Sequence, residues 1–347
     1  MQLFNKNNNG AEELQELTGS YYANNEFNRI QTDVILTIDQ IKKLVGNAVI
    51  ERANDHYQSD DFETEGSSTE ENQLNDQLVQ HLRIPIAYHA THRYYQTNLV
   101  SHEDSGRKVK LDPENEKLPW EWMLDRDDDA QIRKANETTD RLIEFLEENQ
   151  VDEWIESEQR KLTRKLFVNT VDIFHDSYPI DLSPRFYYTV TPFIHEAQTR
   201  IIKKALGSTY DDLLDYWKAF NTVEGSGSGS GSMGGIPAEP ETNELYEELL
   251  EQVQLVIPFY AMIYAVKRLS LQVLPYGVVQ NFKSMIQSRN SSQAAITEVI
   301  KMHISELKTD ADYILDDIKK IIQASDPESL EYQFLPANDE DNKFFRT

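Results

Sequence analysis

The segment NTVEGSGSGSGSMGGIP, residues 221–237, decides how many bodies the chain contains. Its four Gly-Ser pairs have nothing to bury and behave as a flexible coil of about 15 Å. Such a run either joins two finished domains or closes a loop inside one. The flanking sequence decides between these.

Two halves of the chain share one plan. Ile41-Lys-Lys-Leu-Val-Gly46 ends an apolar helix in the first half, and Ile202-Lys-Lys-Ala-Leu-Gly207 ends one in the second. Ile84-Pro85-Ile86-Ala87-Tyr88 opens a core helix in the first, as Ile257-Pro258-Phe259-Tyr260-Ala261 does in the second. Each helix leads into a β-hairpin whose turn glycine is Gly106 or Gly277, and a long helix closes each unit. The three offsets, 161, 173 and 171 residues, agree in order and spacing, which marks an internal repeat. The Gly/Ser run lies between the first and second core helices of the later copy. The earlier copy has an acidic, Ser-rich insertion, Ser59–Asn72, at the same place. The run is therefore a loop within one protein.

The expected fold is all-α, a tandem duplication of a helical bundle with a small β-hairpin in each unit. Residues 1–150 form the first unit and residues 151–323 the second, interrupted by the loop at 224–241; residues 324–347 form a docking tail. Apolar residues at three- and four-residue spacing predict a helix from Gln31 to Asp55 (Val34, Ile38, Ile41, Val45, Val49). A helix from Gln73 is bent or restarted at Pro85, and an acidic one spans Asp127–Asn149. Another runs over Val151–Asp176. Ser183-Pro184 starts the next helix and Gly207 ends it. Helices over Tyr210–Phe220, Thr242–Val266 and Ala294–Gln323 complete the set.

Composition narrows the function. The chain of 347 residues has 34 Lys and Arg against 60 Asp and Glu, a net charge of −26. Such a surface repels phosphate, which excludes gripping DNA or RNA. An acidic wall along which DNA slides without sticking stays physically sensible. Zero cysteine excludes disulfides and thiolate metal sites. The most apolar stretch, Gln252–Val266, is shorter than the roughly 20 residues of a membrane span and reads as a core helix. No secretory signal opens the chain, and no phosphate-cradling glycine loop or nucleophile–base order is present. His89 and His92, with His81 two turns earlier, could ligate zinc only with help from His102 or Glu103. The expectation is therefore no enzyme, no cofactor and no metal.

The strings WIESEQRKLTRKLFVNTVDIFHDSYPIDLSPRFYYTVTPFIHEAQTRIIKKALG (Trp154–Gly207) and VIPFYAMIYAVKRLSLQVLPYGVVQ (Val256–Gln280) resemble helical proteins of unassigned function from Bacteroides phages and crAss-like gut phages. That group is similar to phage head–tail connector proteins, the adaptors that form rings beneath the portal. The resemblance implies a structural virion component in the neck, assembled in the host cytoplasm. Its partners would be itself (a ring of twelve copies), the portal protein and neighbouring tail or ring proteins. DNA would pass through the channel without specific binding, and no membrane is involved. The rival class is a helical interaction or assembly factor outside the virion. Partner-binding candidates are Leu3 and Phe4, the hairpin residues Gly106, Tyr276 and Gly277, and the tail residues Tyr332, Phe334, Leu335, Phe344, Phe345 and Arg346.

Overall fold

The computed structural model describes residues 3–21, 26–62, 69–98, 101–103, 106–108, 120–224, 243–269, 271–274, 277–280 and 297–325. The fold class is all-α. The described residues fall into two units. One holds residues up to Leu162 together with Ser183–Tyr188. The other holds Thr163–Leu182 and the described residues from Thr189 onward.

In the first unit α1 (Gly10–Thr18), α2 (Gln31–Val45), α3 (Asn47–Gln58), α4 (Glu70–Thr97) and α5 (Glu121–Glu148) are followed by two short helices, α6 (Asp152–Ile155) and α7 (Glu158–Thr163). The helix expected over Gln31–Asp55 is broken. Gly46 sits at φ +94°, a backbone conformation that closes α2 and lets α3 start anew. Helix α4 runs unbroken through Pro85 rather than restarting there. Thr69 caps it by accepting from the Asn72 N–H. Helix α5 starts earlier than expected, directly after Trp120.

Helices α4 and α5 pack side by side and antiparallel. His81 stacks on Phe145, while His89, two turns further along α4, meets Thr139, earlier on α5. Their seam buries Leu78, Leu82, Ile86 and Ala90 with Leu142, Ile143 and Leu146, and α2 and α3 cover α4 through Val34, Ile38, Val49 and Ile50. Fully burying each of the Leu, Ile and Val side chains contributes about 1.5–3 kcal/mol. Val151 and Trp154 belong to this same core. The single helix expected over Val151–Asp176 is therefore three pieces, and the boundary expected at residue 150 lies beyond α6. Phe62 inside the acidic insertion also packs on this core, edge-on to Tyr57.

The second unit holds α8 (Val171–Ser177), the later turns of α9 (Pro184–Ala197), α10 (Lys203–Leu206), α11 (Thr209–Glu224), α12 (Glu244–Leu269) and α13 (Thr297–Ser325); α8, α11 and α13 pack on α12, and α10 packs on α11 and α13. A π-turn, Gln198–Ile202, joins α9 to α10. Pro184 is the first residue of α9, and Gly207 ends α10 at φ +55°. Helix α12 is long and apolar enough to cross a membrane by length and composition alone. Its apolar residues are used otherwise: Val253, Val256, Ile257, Ala261 and Ile263 are buried in the unit. Pro258 interrupts its ladder, because proline cannot donate to the Gln254 carbonyl. That carbonyl accepts instead from Ser177 Oγ, 3.3 Å away.

Two short antiparallel backbone pairings stand beside the helices. Ser101–Glu103 (β1) pairs Gly106–Lys108 (β2), and Leu271–Leu274 (β3) pairs Gly277–Gln280 (β4). Gly106 and Gly277 each open a returning strand, opposite Glu103 and Leu274. The turns between the strands and the Gly/Ser run lie outside the described residues. Near that run, Tyr216 and Tyr246 meet edge to face at 5.3 Å, and the Tyr216 hydroxyl accepts from the Asn243 N–H at 3.4 Å.

Replacing Gly46 by Ala forces a side chain into a left-handed backbone and brings its Cβ to 3.4 Å from Ser157 Cβ. Thermal and urea denaturation should show Gly46→Ala less stable by about 1 kcal/mol or more.

Candidate functional site

The N-terminal segment shows where sequence-predicted contacts go astray. Arg83, buried on α4, lies over the rings of Phe4 (5.2 Å) and Tyr57 (5.0 Å) and pairs with Glu13 at 3.2 Å. Glu13 also accepts from the Tyr57 hydroxyl (2.6 Å) and the Asn5 N–H (2.7 Å). A buried cation stripped of its carboxylate is strongly destabilising, so this cluster ties the segment down. Leu3 and Phe4 are almost wholly buried in it. Both, expected at a partner interface, are packed here as core residues. Tyr276, Tyr332, Phe334, Leu335, Phe344, Phe345 and Arg346 lie outside the described residues.

The histidines of α4 are each engaged differently. The His81 ring stacks on Phe145 with centroids 4.3 Å apart. His89 Nε2 lies 3.4 Å from Thr139 Oγ1, and His92 Nε2 lies 3.1 Å from Gln96 Nε2 and 4.0 Å from Asp128. Burial, with His92 and Arg185 nearby, pushes the His89 pKa from 6.5 down to about 4. His89 is therefore a neutral packing group at physiological pH. The side chains of His102 and Glu103 lie outside the described residues. Among the described residues no group of three or more His, Asp or Glu could hold a metal ion.

The strongest polar constellations hold loops. In the first unit Glu147 accepts from Trp154 Nε1 (3.0 Å) and the Tyr188 hydroxyl (3.1 Å) and pairs with Arg160 at 2.8 Å. Asp140 accepts from Ser183 Oγ (2.9 Å) and the Arg185 N–H (2.7 Å), adding a carboxylate to the positive end of α9. In the second unit Gln198, at the π-turn, is almost wholly buried. It accepts from the Phe167 N–H (2.9 Å) and donates to the Lys165 carbonyl and the Tyr210 hydroxyl (both 3.0 Å). Trp217 Nε1 donates to the Leu166 carbonyl (2.9 Å) and Gln254 to the Phe167 carbonyl (3.0 Å). The stretch 165–167 is thereby stapled from three helices. His175 Nδ1 accepts from the Ile180 and Leu182 N–H groups, fixing two successive residues of positive φ, Asp181 and Leu182.

Two surface features remain. In the first unit an open cleft of about 810 Å³ lies between α2, the start of α3 and α6–α7. Its five carboxylates (Asp39, Asp152, Glu153, Glu156, Glu158) outnumber Lys42 and Lys43, so it favours cationic over anionic visitors. The second is apolar: Trp120, Trp122, Met123 and Leu124 are exposed at the start of α5, as are Val299 and Met302 at the start of α13.

A protein-family profile, a family of unknown function designated DUF6712, matches residues 41–164 and 202–330, well over half of the chain. The chain belongs to this family. No curated protein and no solved structure matches it. The two DUF6712 segments open at Ile41 and Ile202, the residues that begin the two Ile-Lys-Lys motifs. Each contains a long proline-bearing helix, a strand pairing and the closing helix. Glu147 and Gln198 carry no local signal in the sequence, because nothing in the runs EFLEEN and HEAQTR separates a hub from a solvated neighbour. The doublet Trp120 and Trp122 in a polar stretch was a legible signal of exposed aromatic surface.

Replacing Gln198 by Ala leaves the Phe167 N–H and Lys165 carbonyl without this partner, and urea denaturation should register a loss of about 2 kcal/mol or more. His89 gives a pH signature. With its folded pKa below the unfolded 6.5, it binds fewer protons folded than unfolded. The wild type should lose up to about 3 kcal/mol relative to His89→Gln as pH falls from 6.5 to 4, with no difference developing above 6.5.

Proposed function

We propose that the chain is a structural adaptor of a tailed-phage head–tail connector, built as a tandem duplication of one helix–hairpin–helix bundle. The observation that carries this reading is the repeated plan. A long helix with a mid-length proline, a two-stranded pairing and a second long helix occur once around Pro85 and again around Pro258. The paired DUF6712 segments support the duplication, and the quoted resemblance to connector-like phage proteins supports the role. The half-buried hub at Glu147 and the buried one at Gln198 serve rigidity, which suits a scaffold that transmits load rather than turns over substrate. In this reading many copies ring a DNA channel between portal and tail. The excess of carboxylates keeps the passing DNA mobile, since like charges repel and raise no specific grip.

Light scattering and negative-stain microscopy of the purified protein, alone and with portal, should show closed rings. Purified virions should contain the chain in stoichiometric amounts by mass spectrometry. Persistent monomers that ignore portal, together with absence from virions, would instead favour an assembly factor acting outside the particle.

A further inference from the structure

The start of α5 combines two properties that pull against each other in water. Trp120 is 70% exposed, and Trp122, Met123 and Leu124 are exposed beside it. Contiguous apolar surface of this kind costs solubility and marks an interaction site when it persists. The next residues are Asp125, Arg126, Asp127, Asp128 and Asp129, four carboxylates against one guanidinium, and Arg126 lies over the Trp122 ring at 6.0 Å. The fitting occupant is a short segment in which aromatic rings sit between cations. Phosphate-bearing partners are repelled by the same carboxylates.

The chain contains such a segment: Lys343-Phe344-Phe345-Arg346, which lies outside the described residues and enters here by its sequence alone. We propose that residues 343–346 of one copy dock on the Trp120–Leu124 ridge of a second copy. The two phenylalanines cover Trp122 and Met123, and Lys343 and Arg346 lie against the aspartates. Each copy carries a net charge of −26, so contact between copies needs a local cation to offset general repulsion. The 18 residues from Ser325 to Lys343 span at most about 60 Å when extended, enough to reach a neighbour. A tail-to-ridge contact uses different patches on the two partners, the heterologous type that gives rings where the rotation between copies closes. This inference rests on the ring reading of the previous subsection.

The test is a labelled peptide of residues 342–347 titrated into the full chain and followed by fluorescence anisotropy. Saturable binding should weaken tenfold or more in the double variant Trp120→Ala, Trp122→Ala. It should also weaken severalfold in Asp127→Asn, Asp128→Asn, Asp129→Asn and at high salt, and vanish when both peptide phenylalanines become Ser. Circular dichroism should show every variant folded, so the binding losses report the contact itself. Equal binding to the wild type and the tryptophan variant, or no binding to either or to a chain truncated after Asp341, overturns the proposal. It is also overturned if the peptide binds only a chain truncated after Asp341 and the wild type shows no concentration-dependent association, because the ridge then belongs to the copy's own tail. Sedimentation velocity separates this from the ring reading. Rings that survive the tryptophan variant sink the docking contact and leave the ring reading intact. Wild-type chains that stay monomeric with portal sink the ring reading.

Discussion

Everything in the first unit leans on the apolar seam between α4 and α5. Two helices of 28 residues each are paired along a line of Leu, Ile and Ala, and the shorter helices α1, α2, α3 and α6 find their places by covering what the pair leaves open. The second unit has the same dependence on α12 and α13. Helices of this length are stable chiefly through the stripe they bury, since intrinsic propensity alone is marginal. A proline in the middle of α4 and of α12 raises the stakes. Each gives up one ladder bond, so each helix relies on its neighbours to stay continuous.

That dependence explains what the sequence disclosed and what it hid. The long helices, the glycine stop at Gly207 and the start at Pro184 were legible, because periodicity and backbone chemistry act locally. The division of Gln31–Asp55 by Gly46 was misread where the apolar stripe continues across the break: Val45 and Val49 keep the period although the helix axis does not. The fragmentation of Val151–Asp176 was hidden for another reason. Trp154 turns into the first core while Leu166, Phe167 and Val168 are buried in a stretch held by Gln198, Gln254 and Trp217, and none of those partners is near in sequence. Leu3 and Phe4 looked like free terminal anchors; only the buried Arg83 beneath Phe4 shows what they cover.

The candidate sites were less legible than the fold. Histidines at three- and eight-residue spacing look like ligands in a string of letters. In space they are divided among Phe145, Thr139 and the Gln96–Asp128 side of α4. Glu147 and Glu148 are identical as letters, yet Glu147 is a structural hub while Glu148 lies at the exposed end of the helix. Burial makes this distinction, and burial is set by residues far along the chain.

The aromatic clasp between Tyr216 on α11 and Tyr246 on α12 has a practical corollary. It joins the two helices that flank the glycine-serine stretch in sequence, by contacts among Tyr216, Tyr246 and Asn243 alone. Because the entropy of closing a flexible loop grows only logarithmically with its length, the connection can be lengthened at small cost. The same spot is therefore a natural seam for grafting a reporter or a second folded module into the polypeptide without disturbing the helices on either side.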